Sequence, residues 1–538
     1  MMRHTVCTIF AAGLFFTAAA AGGEATAATG DRSVDFKISC SPAAQKVFGE
    51  AVWTLHSFWY PEALKEFTAV VEGVPDCAMG YWGIAMSHWY PLWYPPSPAA
   101  LKAGSDAVEK AIAAKPKTDR ERDYIAAIAA FYRDSDKLDH RTRALAYEKA
   151  MEKVYQRYPE DREAAVFYAL ALNATASPTD KTFANKQKAA AILNKVWAEE
   201  PNHPGVVHYL IHSDDSAQFA SAGLEAAICY AKIAPNVPHA LHMPSHIFTR
   251  LGLWQQSIES NRAAHDAAIA YARKEFGANG FDSETVHTMD YLEYAYLQTA
   301  QDGAAKKVVD ELASFREGPE PNLPLAYAVA AIPVRYALER RDWEMAANLV
   351  AGPIFPRDRF PWAEAMFSFA RALGTARTGD TATAEAEIVR LKALEDKLAQ
   401  AKDHYWANQV QVQRFAAAAV VAHVQGNDKK AIELARAAAD LDGTMDKHPA
   451  TPAEVYPARE LLADLLLETR DPTHAMTEYQ ESLRMEPNRF RSTLGKARAA
   501  KQLGDDAEAK AAYQKLVLLG AGGGDRPEMA EARAFLAN

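Results

Sequence analysis

A small residue, an aromatic or large apolar residue four positions on and a closing proline return with one spacing along this chain. Ala475, Tyr479 and Pro487 set the pattern, and Ala509 and Tyr513 follow 34 residues later. Ala63, Phe67 and Pro75 keep the same internal spacing, as do Ala189, Leu193 and Pro201. A 34-residue period of this kind is the signature of the tetratricopeptide helix-turn-helix unit, which cannot bury its apolar face alone and must stack on its neighbours. The small residue lets antiparallel helices approach, the larger one fills the gap between hairpins, and the proline ends the second helix. Between these anchors, segments such as ERDYIAAIAAFY and RFAAAAVVAHVQ place apolar residues at helical spacing, and RTGD, VQGND, TRDP and QLGDD break them. No alternating β-branched run appears. The expected fold is all-α, a solenoid of helix-turn-helix repeats forming a TPR-like superhelix.

Candidate closing prolines at 75, 116, 159, 201 and 235 are unevenly spaced, so the early repeats carry inserts such as PLWYPPSPAALKAG. Inserts of this kind decorate one face of a solenoid. Glycine- and proline-rich joints at 277–282 and 318–324 suggest an irregular array over 36–276 and a second array over 284–538.

The first 27 residues read as a secretory signal: Arg3, an apolar run over 6–16, and Ala25-Thr26-Ala27 as cleavage site. No later segment offers about 18 uninterrupted apolar residues, so no transmembrane segment is expected after cleavage, and the protein is expected to be periplasmic or secreted. In that oxidising setting Cys40 and Cys77, which bracket the first helical hairpin, are expected to pair. Such a loop contributes about 3–4 kcal/mol in the chain-entropy picture. Cys229, in AAICYAKIA, reads as a small buried residue. The net charge of −10 argues against a nucleic-acid partner, which needs a basic face.

Half of the sixteen histidines fall between 203 and 287. Shifted by 34 residues, Pro201 meets Pro235, Pro204 meets Pro238, His208 meets His242 and His212 meets His246. Each pair has i,i+4 spacing, which puts both imidazoles on one helix face. First helices line the concave groove of such arrays, so His208, His212, His242 and His246 are expected to hold a divalent transition metal, zinc or copper. His239 and His287 are further candidates. Asp214 and Asp215 are candidate acceptors that orient an imidazole. The structural alternative is a stripe of hydrogen-bonded histidines packed on Tyr209 and Phe248. No H-E-x-x-H, G-x-S-x-G, P-loop or G-x-G-x-x-G is present, so zincin, serine-hydrolase and nucleotide chemistry have no support and no nucleotide cofactor is expected. Asp290 and Glu293, a turn or two after His287, are the candidate acid partners for metal-assisted catalysis.

Half of the ten tryptophans lie between 53 and 93. Trp59, Trp82 and Trp89, with His56 and His88, form either a recognition wall for a ligand or the aromatic core of a capping repeat.

The segments HSFWYPEALKEF, CAMGYWGIAMS, ERDYIAAIAAFY, HPGVVHYLIH and PHALHMPSHIFTRLGLW resemble a family of exported bacterial tetratricopeptide-repeat proteins, over roughly residues 36–270. The resemblance implies the fold, export and a functional groove, and names no reaction. Three functional readings follow. The first is an exported binding protein whose groove takes a protein or peptide partner and a metal. The second is a metal-dependent enzyme acting on a small molecule in that groove. The third is an interaction scaffold with structural histidines. With no acid built into either histidine pair, binding is the leading reading over catalysis.

Overall fold

The computed structural model describes residues 32–316, 318–524 and 526–537, so the expected signal segment lies outside the described residues. Among these the chain is all-α, from helix Pro42–His56 to helix Pro527–Ala537, with no strand. Consecutive helices pack on each other, as His404–Val424 does on Thr381–Gln400 and Asp428–Asp442. Alternate helices meet too, as Pro361–Arg377 does with His404–Val424. This is how stacked helix-turn-helix repeats build a continuous core. No helix among the described residues is long and apolar enough to cross a membrane.

The turns read in the sequence share one local mechanism. In RTGD, Gly379 adopts φ +95° and the Asp380 N–H reaches back to the Thr375 carbonyl at 2.8 Å. The Asp380 carboxylate then accepts from the Thr383 N–H, so the residue that closes one helix also caps the next. Gly426–Asn427 and Gly504–Asp505 repeat this device. Arg341, Lys402 and Arg470 place a non-glycine residue at the left-handed position, each before a capping Asp, at a cost of about 1 kcal/mol each.

The chain forms two compact units. One comprises the chain up to Thr175 with 185–213 and 222–240; the other comprises 176–184, 214–221 and everything from Leu241. The division falls within the histidine-rich segment, whereas the 277–282 turn simply starts helix Ser283–Gln298, with Asp282 in a capping box with Thr285. The first unit is built on aromatic packing. Phe36 lies 5.4 Å from Phe48 and 5.5 Å from Trp82, and Trp82 lies 5.3 Å from Phe167. A Cβ on Gly83 would stand 2.2 Å from the Phe67 ring, so glycine is what admits that helix contact. Cys40 and Cys77 are joined in a disulfide with Cα atoms 5.6 Å apart, and Cys229 is buried.

In the second unit, helices Ser283–Gln298 and Leu323–Glu339 are buried along almost their whole length. Their charges are therefore paired: Arg335 with Asp290 and Glu293, and Arg489 with Glu339 and Glu460.

Candidate metal centre

In the first unit, helix Pro204–Asp214 places His208 and His212 one turn apart, with Nε2 atoms 3.1 Å from each other. His239, on helix Pro238–His242, brings its Nε2 to 3.2 Å from that of His208. The edge of a nitrogen tetrahedron around zinc, from bond lengths of 2.0–2.1 Å, is about 3.3 Å. The three rings therefore stand at close to ligand spacing, and all are buried. The far side of His208 fixes its tautomer. Its Nδ1 lies 2.7 Å from the His56 carbonyl oxygen, which only accepts, so Nδ1 carries the hydrogen and the Nε2 lone pair points inward. Burial first, and His212 and His239 next, hold His208 well below the ordinary imidazole range. Phe58 packs on all three rings, with centroids 4.4, 5.9 and 5.5 Å from those of His208, His212 and His239. Trp93 meets His239 at 5.0 Å.

In the second unit, His242, His246 and His287 form a like group. The sequence reading put His242 and His246 on one helix; the structure interrupts it between Pro238–His242 and Pro244–Arg250, because Pro244 has no N–H to donate. Met243 keeps helical angles, φ −52° and ψ −36°, so the pair still closes to 3.1 Å between Nε2 atoms. His287, from helix Ser283–Gln298, packs its ring 4.4 Å from that of His242. His242 Nδ1 donates to Asn261 Oδ1 at 2.7 Å, and Asn261 is itself oriented by donating its amide N–H to the Ser257 carbonyl. His246 Nδ1 donates to Asp215 at 3.0 Å. Arg250 and Lys447 reach Asp215 at 2.8 and 3.0 Å. Burial alone would raise the Asp215 carboxyl, yet Lys447 and Arg250 hold it well below the usual range, so it is ionised. Burial pushes the Lys447 ammonium down to about 8.

A third buried group has a different logic. Glu163 accepts from His56 Nε2 at 2.8 Å and from His203 Nε2 at 2.7 Å. The outer nitrogens accept in turn, His56 Nδ1 from Tyr209 OH at 2.9 Å and His203 Nδ1 from the Val206 N–H at 3.3 Å. Every ring nitrogen thus has a complementary partner within the chain, and the group joins helices Pro42–His56, Arg162–Thr175 and Pro204–Asp214 without a cation.

The four histidines expected as one ligand set are thus two pairs, each completed by a further histidine: His239 for the first and His287 for the second. Asp215 orients an imidazole as expected of it, although the ring is that of His246. Asp290 and Glu293 each pair with Arg335, at 2.5 and 3.2 Å. The recognition-wall reading fails for Trp82 and Trp89, which are core residues; Trp89 stacks on Phe131 at 4.3 Å. His56 is buried in the third group, while Trp59 and His88 are half-buried. Sequence reasoning missed Phe58, Asn261 and Lys447. Phe58 adopts φ +54°, a left-handed turn conformation that nothing in FWYP announces. Lys447 reaches Asp215 across 232 residues, beyond any local signal.

No protein-family model matches the chain, and no curated protein matches it. Among solved structures it is similar to a human IFIT1 dimer with PPP-AAAA, at 13% identity and TM-score 0.35, covering 90% of this chain and 92% of that one. It is similar also to yeast Tom70, at 12% identity and TM-score 0.31, covering 92% of this chain and 96% of that one.

Proposed function

We propose that this protein is a helical-repeat binding protein that holds divalent transition-metal ions in two tri-histidine centres, His208/His212/His239 and His242/His246/His287. One observation carries the reading: Nε2 atoms converge at 3.1–3.2 Å while the outer Nδ1 atoms of His208, His242 and His246 face acceptors. In the His242/His246 pair both outer nitrogens donate, so two inward lone pairs face each other and repel, and burial opposes protonating either; a shared cation relieves both. Neutral imidazole suits zinc or copper, and outer-nitrogen hydrogen bonds are the usual means of orienting such ligands. The repeat surface is proposed to take a protein or peptide partner. Export to the periplasm or beyond is proposed with it, and the Cys40–Cys77 disulfide supports that location.

Three protein ligands leave a fourth position for water or substrate, the arrangement of catalytic rather than structural zinc. This favours, as a second reading, a metal-dependent enzyme acting on a small molecule.

Elemental mass spectrometry of the purified protein tests the first reading. One equivalent of metal per triad is expected, with one lost in His208→Ala/His212→Ala and the other in His242→Ala/His246→Ala. Metal-free protein that stays metal-free after reloading and dialysis overturns it. Turnover that vanishes with chelation and returns with metal would establish the second.

A further inference from the structure

In the second unit a cleft of about 220 Å³ opens where Arg341, Arg377, Arg491 and Arg498 converge. Each is held by a carboxylate: Asp464 lies 2.5 Å from Arg341, Glu468 2.9 Å from Arg377 and Glu531 2.6 Å from Arg498, and Glu528 pairs with Arg491. These pairs do not use up the donors. Arg491 Nη2 and Arg377 Nε are buried and hydrogen-bond to no group among the described residues. Arg491 is only 5% exposed, so its remaining N–H groups have little access to bulk water. Leaving a buried charged donor unpaired costs upwards of about 1–3 kcal/mol.

The cations crowd most closely at Arg491. Burial, and then the neighbouring Arg341 and Arg526, hold the Arg491 guanidinium below its ordinary value despite Glu528. Asp464 has little capacity left, since it also accepts from Tyr456 OH and Tyr479 OH, both at 2.5 Å. Beside these guanidinium groups the wall turns apolar. Trp343 lies 5.6 Å from the Arg341 and 5.7 Å from the Arg377 guanidinium carbon, and Leu467 and Leu494 line the same cleft.

We propose that this cleft binds an oxyanion carried on an apolar stem. The planar fork of arginine matches a carboxylate or phosphate edge, and the Arg377 and Arg491 guanidinium groups that line the cleft would take its oxygens. Trp343, Leu467 and Leu494 would cover the stem. The space suits a small organic acid or the last residue of a peptide. None of the lining residues belongs to a histidine centre.

Isothermal titration at low salt, with the full chain, tests this. The probes are inorganic phosphate, acetate, 4-methylpentanoate, and the tripeptide Ala-Ala-Leu as free acid and as amide. We expect 4-methylpentanoate to bind roughly tenfold more tightly than acetate, a difference of about 1.4 kcal/mol. Binding of the tripeptide acid but not its amide would identify a peptide C-terminus as the source, and binding of phosphate alone a phosphoryl group. Two substitutions at partly exposed positions should act in opposite directions. Arg377→Met should weaken binding at least tenfold, and Glu468→Gln, by releasing Arg377, should strengthen it several-fold. No binding of any anion at 10 mM overturns the proposal. So does unchanged affinity in both variants with the helical circular dichroism intact.

Discussion

Each tri-histidine group is built on a pair whose Nε2 atoms lie 3.1 Å apart, and the two have different supports. Around His208, His212 and His239 the surroundings are aromatic, and the orienting acceptor for His208 is a backbone carbonyl at the end of helix Pro42–His56. Around His242, His246 and His287 the acceptors are side chains, Asn261 and an ionised Asp215 braced by Arg250 and Lys447. The carbonyl that orients His208 brings no net charge. A carboxylate raises the basicity of the imidazole it orients and offsets part of the metal charge. With Asp215 in place, the second group would suit a dication such as zinc.

The largest effect expected from breaking this difference is on stability. Asp215→Ala would take from the buried Lys447 the carboxylate that pairs it and leave Arg250 with Asp446 alone, and a loss of about 3–5 kcal/mol is expected in chemical denaturation. An unchanged midpoint would mean the network contributes little. Next, Asn261→Leu removes the acceptor for His242 while keeping similar volume. Metal affinity in the second group should fall about 10- to 100-fold by competition titration, with the first group unaffected. The matching experiment on the first group uses Gly205→Ala, because a Cβ there would stand 2.5 Å from His56 Nδ1. Displacing His56 should cost about 1–3 kcal/mol and weaken only the first centre.

Smaller per pH unit is an acid sensitivity shared by both units. Burial, then Arg143, pushes His140 down to about 4, and burial, then Lys447, pushes His448 down to about 3. Between the ordinary imidazole value of about 6.5 and these native values, the unfolded chain binds protons that the folded one refuses. Stability should therefore be intact above pH 6.5 and fall by on the order of 1 kcal/mol per pH unit for each group as pH drops toward 4. His448→Gln should flatten that slope in pH-dependent melting curves. The smallest effect tests the turns. Arg470→Gly, at φ +62° before the capping Asp471, should stabilise the second unit by up to about 1 kcal/mol.

The repeats, the all-α architecture and the in-register histidine pairs were legible because they depend on local periodicity. A 34-residue shift carries His208 onto His242 and His212 onto His246, and a helical turn sets each pair's spacing in both cases. The glycine–aspartate turns were legible for the same reason, since cap and closing residue are neighbours in sequence. The aromatic segment misled at Trp82 and Trp89, because composition marks large apolar side chains without telling which face of a helix they occupy.

By itself, the sequence determined the helices, their turns and which histidines would share a helix face, since each depends on residues within a turn or two of one another. Only the tertiary structure decided that each pair takes a third ring, that Phe58 wedges against one triad, and that Asp215 is braced from residue 447. Those contacts join residues far apart in sequence, and their partners are chosen by how the helices stack. Local propensity carries no term for that choice.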